Sequence, residues 1–290
     1  MSPRVWLMAV RPKTLTAAAV PVAVGTAAAA RAGHFEPLAA LAALGGALLI
    51  QVGTNLTNDF YDFVKGADHG GRLGPTRVTQ SGLIAPKVVL AAALACFALA
   101  ALCGAHLIRV GGWPILVVGL CAVACGYLYT GGPFPLAYHG LGDPFVFVFF
   151  GPVAVIGTYW VQARAIGLVP VLASVPVGLL SSALLVVNNL RDIATDEKAG
   201  KRTLAVKLGE RFTRAQYAAL VAVAFVWPVL LAAAGTRAAL AMWLALPLAL
   251  APWRTVMRST GAALNGALAQ TARLHAVSGA LLAAALWRTG

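Results

Sequence analysis

Two segments of this 290-residue chain set side-chain amides and carboxylates at helical spacing. Residues 188–201 place Asn188, Asp192, Asp196 and Gly200 four apart at the end of an apolar run, and residues 55–68 form a looser counterpart. Five of the nine acidic residues are aspartates in these patches: Asp59, Asp62, Asp68, Asp192 and Asp196. Positions four apart share a helix face. Asn188, Asp192 and Asp196 therefore form one stripe, and the pairs Asn55 with Asp59 and Asn58 with Asp62 form others. Two anions on one stripe repel unless a cation neutralises them. Hard oxygen donors of this kind suit Mg2+, which keeps waters and completes its shell with substrate phosphates. Asp68 falls off the stripe, so Gly66 is expected to unwind the helix and return Asp68 toward the others, while Gly200 is expected to end the second patch. Lys65, Arg72 and Arg77 follow the first patch, and Arg191, Lys201 and Arg202 belong to the second. Guanidinium and ammonium groups bind phosphate oxygens directly. The combination points to a metal and diphosphate site. Ordinary loop charges would account for the basic residues alone equally well, but not for the paired Asn/Asp stripes.

The elements that carry these patches are membrane helices. With 60% hydrophobic and 11% charged residues and a mean hydropathy of +0.82, the composition lies outside the soluble globular range. An all-α membrane protein is expected, a single domain over residues 1–290. About nine spans are predicted, at 14–31, 37–58, 88–108, 113–129, 144–162, 168–190, 213–235, 238–253 and 273–289, with 254–271 open between loop and interfacial helix. An N-terminus on the cytoplasmic side puts 17 of the 22 Lys and Arg residues on that side and 5 on the other. Both Asp-rich patches then lie at the cytoplasmic ends of the second and sixth spans. The first 14 residues lack a signal-peptide pattern, so the first span is read as retained.

The net charge of +13 is divided among several loops. That distribution fits anionic headgroups and an anionic substrate, and no nucleic-acid partner is expected. Cys96, Cys103, Cys121 and Cys125 lie in spans and are read as small packing residues, and none of the five histidines is assigned a ligand role. The carboxylates argue for a site, and the bilayer argues for its substrate: a diphosphate with a lipid tail. Heterolysis of an allylic carbon–oxygen bond builds negative charge on the diphosphate, which metal ions and basic side chains stabilise. Apolar walls keep water from the carbocation.

These patches resemble the two Asp-rich motifs, NDxxDxxxD and DxxxD, of the UbiA superfamily of intramembrane prenyltransferases. Within it, Arg11-Pro-Lys-Thr-Leu, residues 55–68, 74–82 and 188–201, and the segment 129–143 are similar to the 1,4-dihydroxy-2-naphthoate polyprenyltransferases of menaquinone synthesis. The chain departs from the broader pattern in having Gly66 where many members carry the last Asp. The resemblance implies a pair of Mg2+ ions on Asn58, Asp59, Asp62, Asp68, Asn188, Asp192 and Asp196. It places diphosphate on Lys65, Arg72, Arg77, Arg191 and Lys201, and the aromatic acceptor near Asn55, Gln80, Tyr129, Arg11 and Lys13. It also implies transfer of a polyprenyl chain from polyprenyl diphosphate to the ring carbon bearing the carboxylate, with loss of CO2, giving demethylmenaquinone. Asp59, Asp62, Asp192 and Asp196 would serve catalysis. Asp143 would steer or deprotonate the acceptor, or else cap its helix. Arg11 and Lys13 read more simply as topology signals, and Tyr127 and Tyr129 as pocket lining or interfacial anchors. The expected location is the cell (inner) membrane, with the site facing the cytoplasm. Two other readings stand beside this one: a different acceptor (hydroxybenzoate, homogentisate, haem or a lipid) on the same fold, and a secondary transporter. Transport sites lie near the bilayer midplane, whereas these carboxylates lie at one edge.

Overall fold

The computed structural model describes residues 2–66 and 73–287, almost wholly helical. A short helix, α1 (Pro3–Val10), precedes nine longer ones among the described residues: α2 (Pro12–Arg31), α3 (Pro37–Val64), α4 (Pro86–Gly111), α5 (Trp113–Leu128), α6 (Gly142–Ala163), α7 (Leu168–Lys198), α8 (Leu204–Ala233), α9 (Arg237–Arg258) and α10 (Leu264–Trp287). Seven of the described helices are long and apolar enough to cross a membrane, with α5 shorter at 16 residues. The chain is a multi-pass membrane protein.

Proline starts many of these elements. Pro3, Pro12, Pro37 and Pro86 each open a helix, where the missing N–H would have no partner in any case and the fixed φ is already helical. Two prolines deform helices instead. Pro152 lies in a π-helical stretch, Phe149–Val153, inside α6, and Pro228 follows a break at Trp227 in α8. The first half of α9, Arg237–Ala245, is wound as a 3-10 helix.

Hydropathy locates the spans but cuts several of them short. The helix α3 continues past residue 58 to Val64, α7 past 190 to Lys198, α10 begins at Leu264 rather than 273, and α8 carries an extra segment from Leu204 set off from its main run by a non-helical Gly209 with a φ of 78°. The polar patches are thus full helical turns, since a window that scores apolar residues stops where the polar ones begin. The segment 254–271 splits between the end of α9, a 3-10 turn at Gly261–Ala263, and the start of α10. Helix α1 has no counterpart among the predicted spans. Cys121 is exposed on the outer surface rather than packed inside, and all four cysteines are free thiols.

In the bundle α7 is central. It packs on α6, α8 and α10, while α2 lies against α10, α6 and α3, and α3 pairs with α4 and α5. One core cluster, including Leu180, Val187, Tyr217, Met242 and Leu274, fills the space between α7, α8, α9 and α10. A second, including Val24, Val155, Val177 and Leu282, joins α2, α6, α7 and α10. Small residues let backbones touch. A Cβ on Gly178 of α7 would lie 2.8 Å from the Phe147 carbonyl oxygen and 3.1 Å from the Gly151 Cα, both main-chain atoms of α6. Gly178→Ala is therefore expected to cost about 1–3 kcal/mol, read as a lower thermal unfolding temperature in detergent. Gly266→Ala, which meets nothing within 4 Å, should leave that temperature unchanged or raise it.

Candidate active site

The last two turns of α3 hold the first patch. Asn55 is buried, and its side-chain amide donates to the Val10 carbonyl and the Thr14 hydroxyl, both at 2.9 Å, while its own main-chain carbonyl accepts from Arg11 at 3.2 Å. It thereby pins the elbow between α1 and α2, where Arg11 takes a left-handed φ of 54°. Asp59 is 1% exposed, and its two oxygens accept the backbone N–H groups of Val78 and Thr79, both at 3.3 Å. Both oxygens are thus engaged in holding the connection between α3 and α4. Asp62, one turn on, accepts from the Arg77 guanidinium and from the Tyr138 hydroxyl, each at 3.2 Å. Asn58 accepts from the Thr130 hydroxyl at 2.7 Å. The helix ends at Lys65, followed by Gly66 with a φ of 68°, as expected. Asp68 and Arg72 lie outside the described residues.

The second patch ends α7. Gly200 takes a φ of 70°, its N–H donates to the Glu197 carbonyl at 3.1 Å, and the N–H of Lys201 donates to the Asp196 carbonyl at 2.8 Å. This paired closure turns the chain back. It brings the Lys201 ammonium 3.8 Å from the Asp196 carboxylate. Arg191 is 3% exposed, and its whole guanidinium is engaged. Nε donates to Asp192 at 2.8 Å, Nη2 to Asp192 at 2.5 Å and to Asn188 at 2.7 Å, and Nη1 to Asn265 at 2.9 Å. The fork-on-carboxylate geometry is the strongest form of such a pair.

Three residues that sequence reasoning passes over join the two patches. Asn265, at the start of α10, accepts from Arg191 and donates to the Leu73 carbonyl at 2.7 Å, so it straps the connection after the first patch onto the second. Gly74 sits so close to Arg191 that a Cβ there would lie 2.8 Å from Nη2. Tyr138 donates to Asp62 while Lys65 and Lys201 approach its ring face, 4.8 and 5.6 Å from the centroid. The Lys65 ammonium also donates to the Thr130 carbonyl at 2.6 Å. Each bridging residue is a single Asn, Gly or Tyr with no periodicity, so only the fold reveals it.

The patches face one cavity of about 780 Å3. Arg11, Lys13, Arg77, Arg191 and Lys201 line its polar end with Asn58, Asp62, Asn188 and Asp143, so among the described residues five cations face two carboxylates there. Asp192 and Asp196 stand behind the cations they pair with, and Asn55 lines the wall. Asp143 belongs to the first turn of α6, where its carboxylate accepts from its own backbone N–H and from Gln216 of α8 at 2.9 Å. Tyr129 lines the same end, whereas Gln80 is not part of the wall. Tyr61 and Tyr127 share a hydroxyl contact between α3 and α5. Among the described residues no three Asp, Glu, His or Cys side chains gather into one cluster.

Replacing Asn265 with Leu removes both strap hydrogen bonds while keeping the volume. At about 1 kcal/mol each, a loss of roughly tenfold or more in kcat/KM toward a diphosphate donor is expected, with helical content by circular dichroism unchanged.

The match to known proteins covers the same architecture. Residues 18–287 match the model of the UbiA prenyltransferase family. A 1,4-dihydroxy-2-naphthoate octaprenyltransferase from Mycobacterium tuberculosis is 45% identical over 76% of this chain and 75% of its own. The Escherichia coli protein of the same name is 41% identical over 74% of this chain and 72% of its own. Among solved structures, a UbiA homolog from Archaeoglobus fulgidus bound to GPP and Mg2+ superposes with a TM-score of 0.64 at 16% identity, covering 97% of this chain and 99% of that one. With two polar ridges opposed across one membrane cavity and the family match running almost end to end, the chain belongs to the UbiA prenyltransferase family.

Proposed function

We propose that this prenyltransferase moves a polyprenyl chain from polyprenyl diphosphate to 1,4-dihydroxy-2-naphthoate, with loss of CO2, on the cytoplasmic side of the cell (inner) membrane. One observation carries the reading: a single cavity joins a cationic end to a long apolar groove. The acceptor is drawn from the relatives, which bear the name of that reaction at 45% and 41% identity.

The groove runs between α3, α4, α5 and α6, from Asn58 down to Ala43 on α3, a depth of about 22 Å at helical rise. A hydrocarbon tail fills it while its diphosphate meets Arg77, Arg191 and Lys201. Lys65, held over Tyr138, adds its charge behind them. Asn58, Asp62 and Asn188 line the cavity and would offer oxygens to Mg2+, with water and phosphate oxygens completing the shell, while Asp192 and Asp196, held by Arg191 and Lys201, would have to turn from those cations to join them. Asp68 would join it from the connection beyond Gly66. Asp59, whose oxygens already hold Val78 and Thr79, anchors that connection. A pair of Mg2+ ions held there would supply positive charge that stabilises the diphosphate as a leaving group.

The tail's C1–O bond breaks, the diphosphate keeps the electron pair, and the cations hold it. Apolar walls shield the allylic cation from water. The acceptor lies against Tyr129 and Asp143, its carboxylate toward Arg11 and Lys13. Asp143, steadied by Gln216, accepts the proton of a ring hydroxyl and so enriches the neighbouring carbon. That carbon bonds to C1, CO2 leaves with its bonding electrons returned to the ring, and the oxygen is reprotonated. The product is the quinol form of demethylmenaquinone.

The test is incubation with Mg2+, a prenyl diphosphate and dihydroxynaphthoate, with product mass and released CO2 measured. Both are expected. Turnover of another aromatic or a lipid acceptor in its place would overturn the acceptor. Asp62→Asn and Asp192→Asn should each lower turnover by at least about a hundredfold while membrane insertion persists, and EDTA should abolish turnover until Mg2+ is restored.

A further inference from the structure

The apolar groove has a built floor and, above it, a level kept open by glycine. The floor lies where α4 turns into α5. Ile108, Ile115 and Val161 line the cavity there, with Ile115 and Val161 8% and 4% exposed. Ile115 and Val161 meet over Gly111, and a Cβ at Gly111 would lie 3.1 Å from Val161. The Trp160 indole donates to the Gly111 carbonyl at 2.8 Å and ties that turn to α6. The floor is therefore packed by three helices and braced by a hydrogen bond.

One to two turns above it, three helices each present a glycine to the cavity: Gly104 of α4, Gly119 of α5 and Gly157 of α6. Glycine usually earns its place in a membrane helix by letting two backbones touch, as Gly178 does. These three do not. A Cβ at any of them would meet nothing within 4 Å, so the space beside each one belongs to the groove. Their levels agree. Gly104, Gly119 and Gly157 each lie four residues, about 6 Å, along their own helix from a floor residue, Ile108, Ile115 and Val161 respectively. Glycine within a helix costs up to about 1 kcal/mol against alanine, and here no close helix contact offsets that cost.

We propose that Gly104, Gly119 and Gly157, with the floor of Ile108, Ile115 and Val161 beneath them, set the longest prenyl tail the enzyme accepts. The inference rests on the proposed donor, a polyprenyl diphosphate, and not on the choice of acceptor. A tail that ends above the glycine level touches none of the three, whereas a longer one must pass between them. Side chains added there project into free space, so the variants keep the bundle intact.

The experiment uses the full-length enzyme in detergent with Mg2+ and a ladder of geranyl, farnesyl, geranylgeranyl and longer all-trans prenyl diphosphates. Both kcat/KM with the acceptor and donor affinity without it are measured. Gly119→Phe and Gly157→Phe are expected to lower the values for the longest donors by about tenfold or more while geranyl diphosphate stays within about twofold. Gly119→Ala should give a smaller effect with the same dependence on length. Ile115→Ala should shift the ceiling toward longer tails. Equal values for all donors in the Phe variants would show that the tail leaves the groove sideways into lipid and would overturn the proposal. A parallel fall for every donor, already present in Gly119→Ala, would assign these glycines to packing and overturn it too. If dihydroxynaphthoate is not turned over, the acceptor assignment fails, yet the affinity series still decides the role of the glycines.

Discussion

An arginine with 3% of its surface exposed must have its charge and N–H groups answered by protein. Arg191 meets that requirement by reaching three side chains at once: Asp192 and Asn188 on its own helix, and Asn265 on α10. Asn265 in turn grips the Leu73 carbonyl, so the need to satisfy one buried cation fixes where the connection after α3 can lie. Arg77 on that connection then reaches Asp62, and Asp59 holds the backbone at Val78 and Thr79. Removing one partner from such a set leaves the others charged and buried, which costs more than the single contact is worth.

The pairing also shows how acidic residues tolerate one corner of a membrane protein. Asp62, Asp192 and Asp196 each face a cation of the chain itself, Arg77, Arg191 and Lys201. Among the described residues the cavity surface remains cationic overall, because Asp192 and Asp196 stand behind their partners while Arg11 and Lys13 add two more cations to the wall. An anionic headgroup is thus attracted to the polar end, and an aliphatic tail has only the groove below it to occupy. Charge and hydrocarbon are separated along the helix axes, so the bond between them is placed at the boundary.

Much of this is legible in the sequence, for identifiable reasons. The spans can be read because a soluble domain has little use for apolar runs longer than a bilayer is thick. The two ridges can be read because Asn and Asp at spacing four are rare in such runs, and Gly66 and Gly200 stand out as helix ends because a positive φ favours glycine. Boundaries fail where helices continue through polar residues, as α3 does to Val64 and α7 to Lys198. Partner choice is hidden. Nothing in the sequence says that Asp59 receives two backbone amides while Asp62, three residues later, receives a guanidinium and a phenol. Those assignments follow from the path of residues 73–85 over the end of α3, which is set by contacts distant in sequence, above all Asn265.

The glycines illustrate the same division. In sequence, Gly104, Gly119 and Gly157 look like Gly151 and Gly178, small residues in apolar helices. In the fold the latter pair brings two backbones within contact, while the former three border open volume. A residue type chosen for lacking a side chain can serve contact or emptiness, and the neighbour that the missing atom would meet decides which. Here the void shares one cavity with Arg77, Arg191 and Lys201, so the groove's depth and the charged end form one continuous binding surface.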